Sequence, residues 1–218
     1  MTSDRLRWSL VLAVLFAVLL PGTVSAGDVS VDSLLERLAE TYKDIPSVEA
    51  DFTQTSTGMA YVEPLVQTGT VALERPARMR WQFAVPTQQE YLSDGSSLWV
   101  VNVGDKTCTI YRQLDATLAR YFDFLTGMAD VRAHFEVSLG APVEGRDVLV
   151  LVPLDKNGTI GSISIQIARD TGLVMGMVNA SAFGDLTDVQ LSNVRTGRDI
   201  PDEEFSWTPR DGYREIEG

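Results

Sequence analysis

Arg75 stands in the setting that points most directly to chemistry. It shares strand parity with Met79, Trp81 and Phe83, so in an extended segment all four side chains project to one face. A guanidinium on an apolar face has to be paired or hydrogen-bonded. The free carbonyls at the C-terminal end of a helix are suitable partners, because they carry negative partial charge. A surface arginine at a strand end is the competing reading. Met79, Trp81 and Phe83 would make one apolar wall, and Leu173, Met175 and Met177 a second. Met and aromatic side chains suit flexible apolar ligands, although an ordinary core would use the same residues.

Catalytic groups are scarce. His134 is the only histidine and Cys108 the only cysteine, too few for a typical zinc site. A Ser–His–Asp triad would have to use His134, and no Gly-x-Ser-x-Gly elbow accompanies it. No glycine-rich phosphate loop precedes a helix. Cys108 lies in Thr107-Cys108-Thr109-Ile110-Tyr111, which reads as a buried strand. The run Asp202-Glu203-Glu204 follows Pro201 and reads as a solvated face. The chain is therefore expected to have no catalytic residue, metal or cofactor. With 18 basic and 30 acidic residues, and a net charge of −12, its surface repels nucleic acid and anionic headgroups.

The N-terminus carries Arg5 and Arg7, then the apolar run Leu10 to Leu20, then Val24-Ser25-Ala26. These are the parts of a secretory signal peptide, and the run is shorter than the roughly 20 residues of a membrane-spanning helix. Cleavage after Ala26 would leave residues 27–218 as a single domain. Gly27 follows the cut where a lipid-anchored protein would carry cysteine, so a soluble monomer is expected.

The elements that must position Arg75 and its neighbours are mostly strands. Val31 to Lys43 reads as a helix, with Val31, Leu34, Leu35, Leu38 and Tyr42 on one stripe. Ser30 or Ser33 can cap it, and Ser33 with Glu36 matches a capping box. Strands follow over 48–57, 67–74, 78–85, 88–93, 97–103, 106–112, 147–153, 159–168, 173–181, 183–194 and 205–207. Asp94-Gly95 and Lys156-Asn157-Gly158 mark hairpins. Asp115 to Thr126 interrupts the strands as an aromatic-rich helix bearing Leu118, Phe122 and Leu125, and Val131 to Phe135 adds a further helical turn. The expected fold is mainly β: about ten or eleven antiparallel strands in a curved sheet or barrel, with a few short helices.

Phe52-Thr53-Gln54, Gly69-Thr70-Val71, Arg75-Pro76, Trp81, Pro86, Ser93-Asp94-Gly95 and Leu98-Trp99 follow one another along the chain, and Phe205-Ser206-Trp207-Thr208-Pro209 and Gly212-Tyr213 come near its end. In their order and spacing the chain resembles the periplasmic outer-membrane lipoprotein carrier proteins, the LolA family. The resemblance implies an unclosed barrel under a lid made of the first helix and residues 115–135. It also implies a cavity for lipoprotein acyl chains, lined by Met79, Trp81, Phe83, Met175 and Met177, with Leu118, Phe122 and Leu125 above. Arg75 matches an arginine that latches the lid to helix carbonyls. Met79 stands where the family commonly has an aromatic residue. The implied partners are an inner-membrane lipoprotein-releasing transporter and an outer-membrane receptor. The alternatives are a non-shuttling envelope sensor of lipids or lipoproteins, and an envelope enzyme.

Overall fold

The computed structural model describes residues 29–112 and 131–218 of the chain. Helix α1 spans Val31–Tyr42. Its start is closed by a reciprocal pair: Ser30 Oγ accepts from Ser33 N–H at 3.1 Å, and Ser33 Oγ accepts from Ser30 N–H at 2.9 Å. Ser30 is thus the cap and Ser33 its third residue, so the box lies one turn earlier than a Ser33–Glu36 pairing. Leu34, Leu38 and Tyr42, spaced four apart, turn one buried stripe toward the sheet. Pro46 lies just beyond the helix end.

Twelve strands follow: β1 Ser47–Thr57, β2 Leu65–Glu74, β3 Arg78–Val85, β4 Gln89–Asp94, β5 Leu98–Asn102, β6 Thr107–Tyr111, β7 Phe135–Leu139, β8 Arg146–Pro153, β9 Ile160–Ala168, β10 Val174–Ser181, β11 Leu186–Thr196 and β12 Arg214–Glu217. They form one sheet in the order β12-β6-β5-β4-β3-β2-β1-β11-β10-β9-β8-β7. Its two edges, β12 and β7, do not pair with each other, so the barrel is unclosed. The expected turn at Asp94-Gly95 is present, with Gly95 at φ 95°, a backbone region that favours glycine.

The structure departs from the sequence reading in several places. Residues 205–207 are not a strand. A 3-10 turn over Asp202–Phe205, which ends on the buried Phe205, leads into an extended stretch that packs Trp207 against Leu92, Val101, Cys108 and Ile110. From there β12 runs parallel to β6, because the connection crosses a face of the sheet before returning to its edge. Phe135 opens β7 after a 3-10 turn over Val131–Ala133, so the helical turn expected there is shorter. Residues 183–185 belong to a turn rather than to β11.

Register divides the sheet into two faces, since residues directly opposite each other share a face. On one face Ala50, Phe52, Val71, Phe83 and Val189 pack together, and beside them Leu149, Leu151, Ile163, Ile165 and Ile167 pack under α1. The other face carries Arg78, Arg80, Glu90 and Leu92 and is covered by the C-terminal segment. There Arg78 Nη1 bonds Asp202 Oδ1 at 2.6 Å and Arg80 pairs with Glu204. The acidic run is therefore not simply solvated: two of its carboxylates face the arginines of β3.

Candidate functional site

The α1-bearing face is built around Phe52. Its ring lies 4.8 Å from Trp81 and 5.0 Å from Phe83, the latter edge-on, and Phe83 is 6.1 Å from Tyr91. These offset and edge-to-face contacts are the favoured geometries for aromatic pairs. Gly69, opposite Phe52 in register, makes room for the ring. A Cβ there would lie 2.8 Å from two Phe52 ring atoms and 1.9 Å from Gln82 O. The strand glycine thus marks a close approach.

Of the residues expected to line a cavity, Met79, Trp81 and Phe83 do share this face. Met79 is buried between Leu73 and Ser93 in register. Trp81 is half-buried, and its Nε1–H, shielded from solvent, has no partner among the described residues. Met177 packs against the cluster under α1 and stands opposite Val189 of the aromatic cluster, so it joins the two. Met175 does not follow it. The register shifts between Val174 and Gly176, and this bulge turns Val174 toward the core together with Leu173 and Met177. Leu118, Phe122 and Leu125 lie outside the described residues, as do residues 115–130 of the expected lid and the signal segment. Phe52 and Tyr91 were not picked out as wall residues from sequence. The alternation of Val48, Ala50 and Phe52 was a usable signal for the first.

Arg75 sits between β2 and β3, before a cis bond to Pro76. It is partly exposed. Its Nη2 donates to Lys43 O at 3.0 Å, and Lys43 is the C-terminal cap of α1. A guanidinium thus meets a carbonyl at the negative end of the helix. Two further ties hold α1. Tyr42 Oη accepts from Val174 N–H at 3.0 Å. Asp147, buried on β8, accepts from Arg37 of α1 at 2.9 Å and from Arg169 at 2.7 Å. Burial pushes the Asp147 carboxyl up, but the bonds from Arg169 and Arg37 outweigh it and hold the group below the usual carboxylate range.

Among the described residues, no catalytic constellation accompanies these side chains. His134 is exposed in a turn. The Cys108 thiol is buried, and that burial pushes it up to about 11, with Glu215 adding to the effect. No group of three or more metal-ligating side chains occurs among the described residues. A hollow of about 330 Å³ on the opposite face is lined by Arg80, Arg195 and Arg198 together with Glu49, Asp199 and Glu204, so its charges are matched internally. No helix among the described residues is long and apolar enough to cross a membrane.

Comparison with known proteins places these features in context. The family model described as outer membrane lipoprotein carrier protein LolA matches residues 43–208. An outer-membrane lipoprotein carrier protein of Dechloromonas aromatica is 24% identical over 210 residues, covering 95% of this chain and 97% of its own. One from Halorhodospira halophila is 28% identical over 205 residues, covering 92% and 91%. Among solved structures, an uncharacterized conserved protein from Thermus thermophilus superposes with a TM-score of 0.55 at 13% identity, over 86% of this chain and 98% of its own. That likeness concerns the fold alone.

Proposed function

The chain belongs to the LolA family of outer membrane lipoprotein carrier proteins, and from that premise we propose that it carries lipoprotein acyl chains through the periplasm. Loading would come from an inner-membrane lipoprotein-releasing transporter, and delivery would go to an outer-membrane receptor. The observation that carries this reading is the apolar face of Phe52, Trp81, Phe83 and Met79 in an unclosed sheet, with Arg75 at its rim tied to the end of α1. Each methylene removed from water contributes about 0.8 kcal/mol, so acyl chains need such a cover to cross an aqueous space. The protein acts by binding and makes or breaks no bond.

In this reading Met79, Trp81, Phe83 and Met177 meet the chains. The unpartnered Trp81 Nε1–H suits an ester carbonyl of the lipid, which would relieve a buried donor. Arg75 favours the closed empty form, and cargo competes with that form for the same space. The test is native mass spectrometry of protein isolated from the periplasm, with identification of what co-purifies. Lipid-modified proteins or diacylated peptides in the complex support the carrier. A preparation that never retains acyl chains, even from cells overproducing lipoproteins, removes the basis of the proposal.

A further inference from the structure

At the end of the sheet remote from Arg75, two loops meet. One joins β1 to β2 over residues 58–64, and the other joins β10 to β11 over residues 182–185. Asp185 Oδ1 accepts from Met59 N–H at 3.2 Å, and a Cβ on Gly58 would fall 1.9 Å from the same oxygen. Gly58 is thus what lets the loops touch. Together they display Met59 at 97% exposure, Val62 fully exposed and Phe183 at 75%, flanked by Tyr61 and Leu186. Single exposed apolar residues are ordinary, but four on two touching loops, with Leu186 beside them at the start of β11, form a patch.

We infer that this double-loop tip inserts into the interface of a zwitterionic lipid bilayer. Two observations favour a bilayer over a protein partner. First, the loops satisfy much of their own backbone. Tyr61 N–H bonds Gly58 O, Gly184 N–H bonds Ser181 O, and Phe183 N–H and Asp185 N–H both bond Ser181 Oγ. The most exposed apolar side chains here are Met59, Val62 and Phe183, which suits a medium that offers few directional hydrogen bonds. Second, residues 57–66 and 181–188 contain no lysine or arginine but do contain Glu63, Asp185 and Asp188. That charge is repelled by anionic headgroups and complements the outer ammonium groups of phosphatidylethanolamine or phosphatidylcholine. Along β1, Ser47 beside the Arg75 end and Thr57 beside the tip are about 33 Å apart at about 3.3 Å per residue. Docking by the tip would therefore leave the latch end free. The inference does not depend on the carrier reading, because the empty protein should bind.

The experiment is co-flotation of the purified protein with vesicles of phosphatidylethanolamine and phosphatidylcholine. Three proteins are compared: wild type, a triple variant Met59→Ser, Val62→Ser, Phe183→Ser, and a control Leu139→Ser, Val143→Ser that removes two exposed apolar residues elsewhere. All five positions are exposed, and unchanged thermal unfolding verifies that each variant folds. The triple variant should lose at least tenfold in vesicle partitioning, equivalent to about 1.4 kcal/mol, while the control stays within twofold of wild type. Adding phosphatidylglycerol should weaken wild-type binding. Equal losses in both variants, no loss in the triple variant, or tighter binding with phosphatidylglycerol would overturn the assignment. So would a wild type that ignores all vesicles while a protein receptor shields the tip.

Discussion

Replacing Arg75 by leucine tests the latch most directly. The structure gives Arg75 one side-chain hydrogen bond, from Nη2 to Lys43 O at 3.0 Å, in a partly exposed position. A charged donor contributes roughly 1.5–3 kcal/mol when shielded, but solvent competes here, as it does for exposed ion pairs. About 1 kcal/mol is the fitting magnitude, a shift of about fivefold in an opening equilibrium. Helix α1 as a whole should stay docked, because Leu34, Leu38 and Tyr42 are buried and each such side chain contributes roughly 1.5–3 kcal/mol. The effect is therefore confined to the end of α1 and the closure it supports. Two assays read it. Amide exchange at Ile45, whose N–H bonds Tyr42 O at 3.2 Å, should speed up about fivefold. Transfer of bound lipoprotein to acceptor membranes should slow by a similar factor, because the closed empty form competes less well with cargo. Arg75→Lys should fall between the two, keeping charge but not the planar fork. If Arg75→Leu leaves both exchange and transfer at wild-type rates, Arg75 is no latch, and α1 is held by its buried stripe and its bonds to Val174 and Asp147.

Other outcomes are as definite. Met79→Glu should reduce binding of a fluorescent fatty-acid analogue at least tenfold while the protein stays folded, because a carboxylate would be desolvated on the apolar face. Full affinity in that variant would place the ligand elsewhere. Asp147→Asn should destabilise the protein at neutral pH by about 1–3 kcal/mol, through weaker bonds to Arg37 and Arg169. The wild-type carboxyl titrates below its unfolded value of about 3.9, so its contribution is intact above that pH and is lost as pH falls through the lower folded value. Urea midpoints should accordingly drop more steeply in wild type than in Asp147→Asn below about pH 4. Parallel pH profiles would show that the carboxylate does not hold α1. Cys108, with its thiol pushed up to about 11, should react with iodoacetamide at pH 8 over a hundredfold more slowly in the folded protein than in urea, given an unfolded value of about 8.5. Comparable rates would mean that its strand opens readily.

Much of the site could be read locally. The alternation of Met79, Trp81 and Phe83 against Arg78, Arg80 and Gln82 identified two faces of β3, because side chains in a strand alternate whatever it pairs with. The i, i+4 spacing of Leu34, Leu38 and Tyr42 identified the stripe that α1 buries. Asp94-Gly95 located a turn whose glycine adopts φ of 95°, since short turns demand backbone angles that few residues tolerate. Parity singled out Arg75 as a polar group in need of a partner, but the residue lies partly exposed between β2 and β3, and its bond to Lys43 O depends on where the end of α1 is packed.

Other features depend on contacts between distant residues. Phe52 became the centre of the aromatic wall only when Gly69, Trp81 and Phe83 were brought against it across β2 and β3. Met175 was displaced from the wall by a bulge, which depends on how β10 registers with β9 and leaves no mark on the alternation of β10 itself. Asp202 and Glu204 look like solvated carboxylates until the C-terminal segment lays them against Arg78 and Arg80. The parallel course of β12 and the meeting of the 58–64 and 182–185 loops likewise come from long-range pairing. By itself the sequence determined the period, faces and turns of each segment, because those follow from backbone sterics and side-chain spacing within a few residues. Only the tertiary structure decided which faces meet, which strands register and which charges pair, because those depend on the shared packing of segments up to about 150 residues apart in the chain.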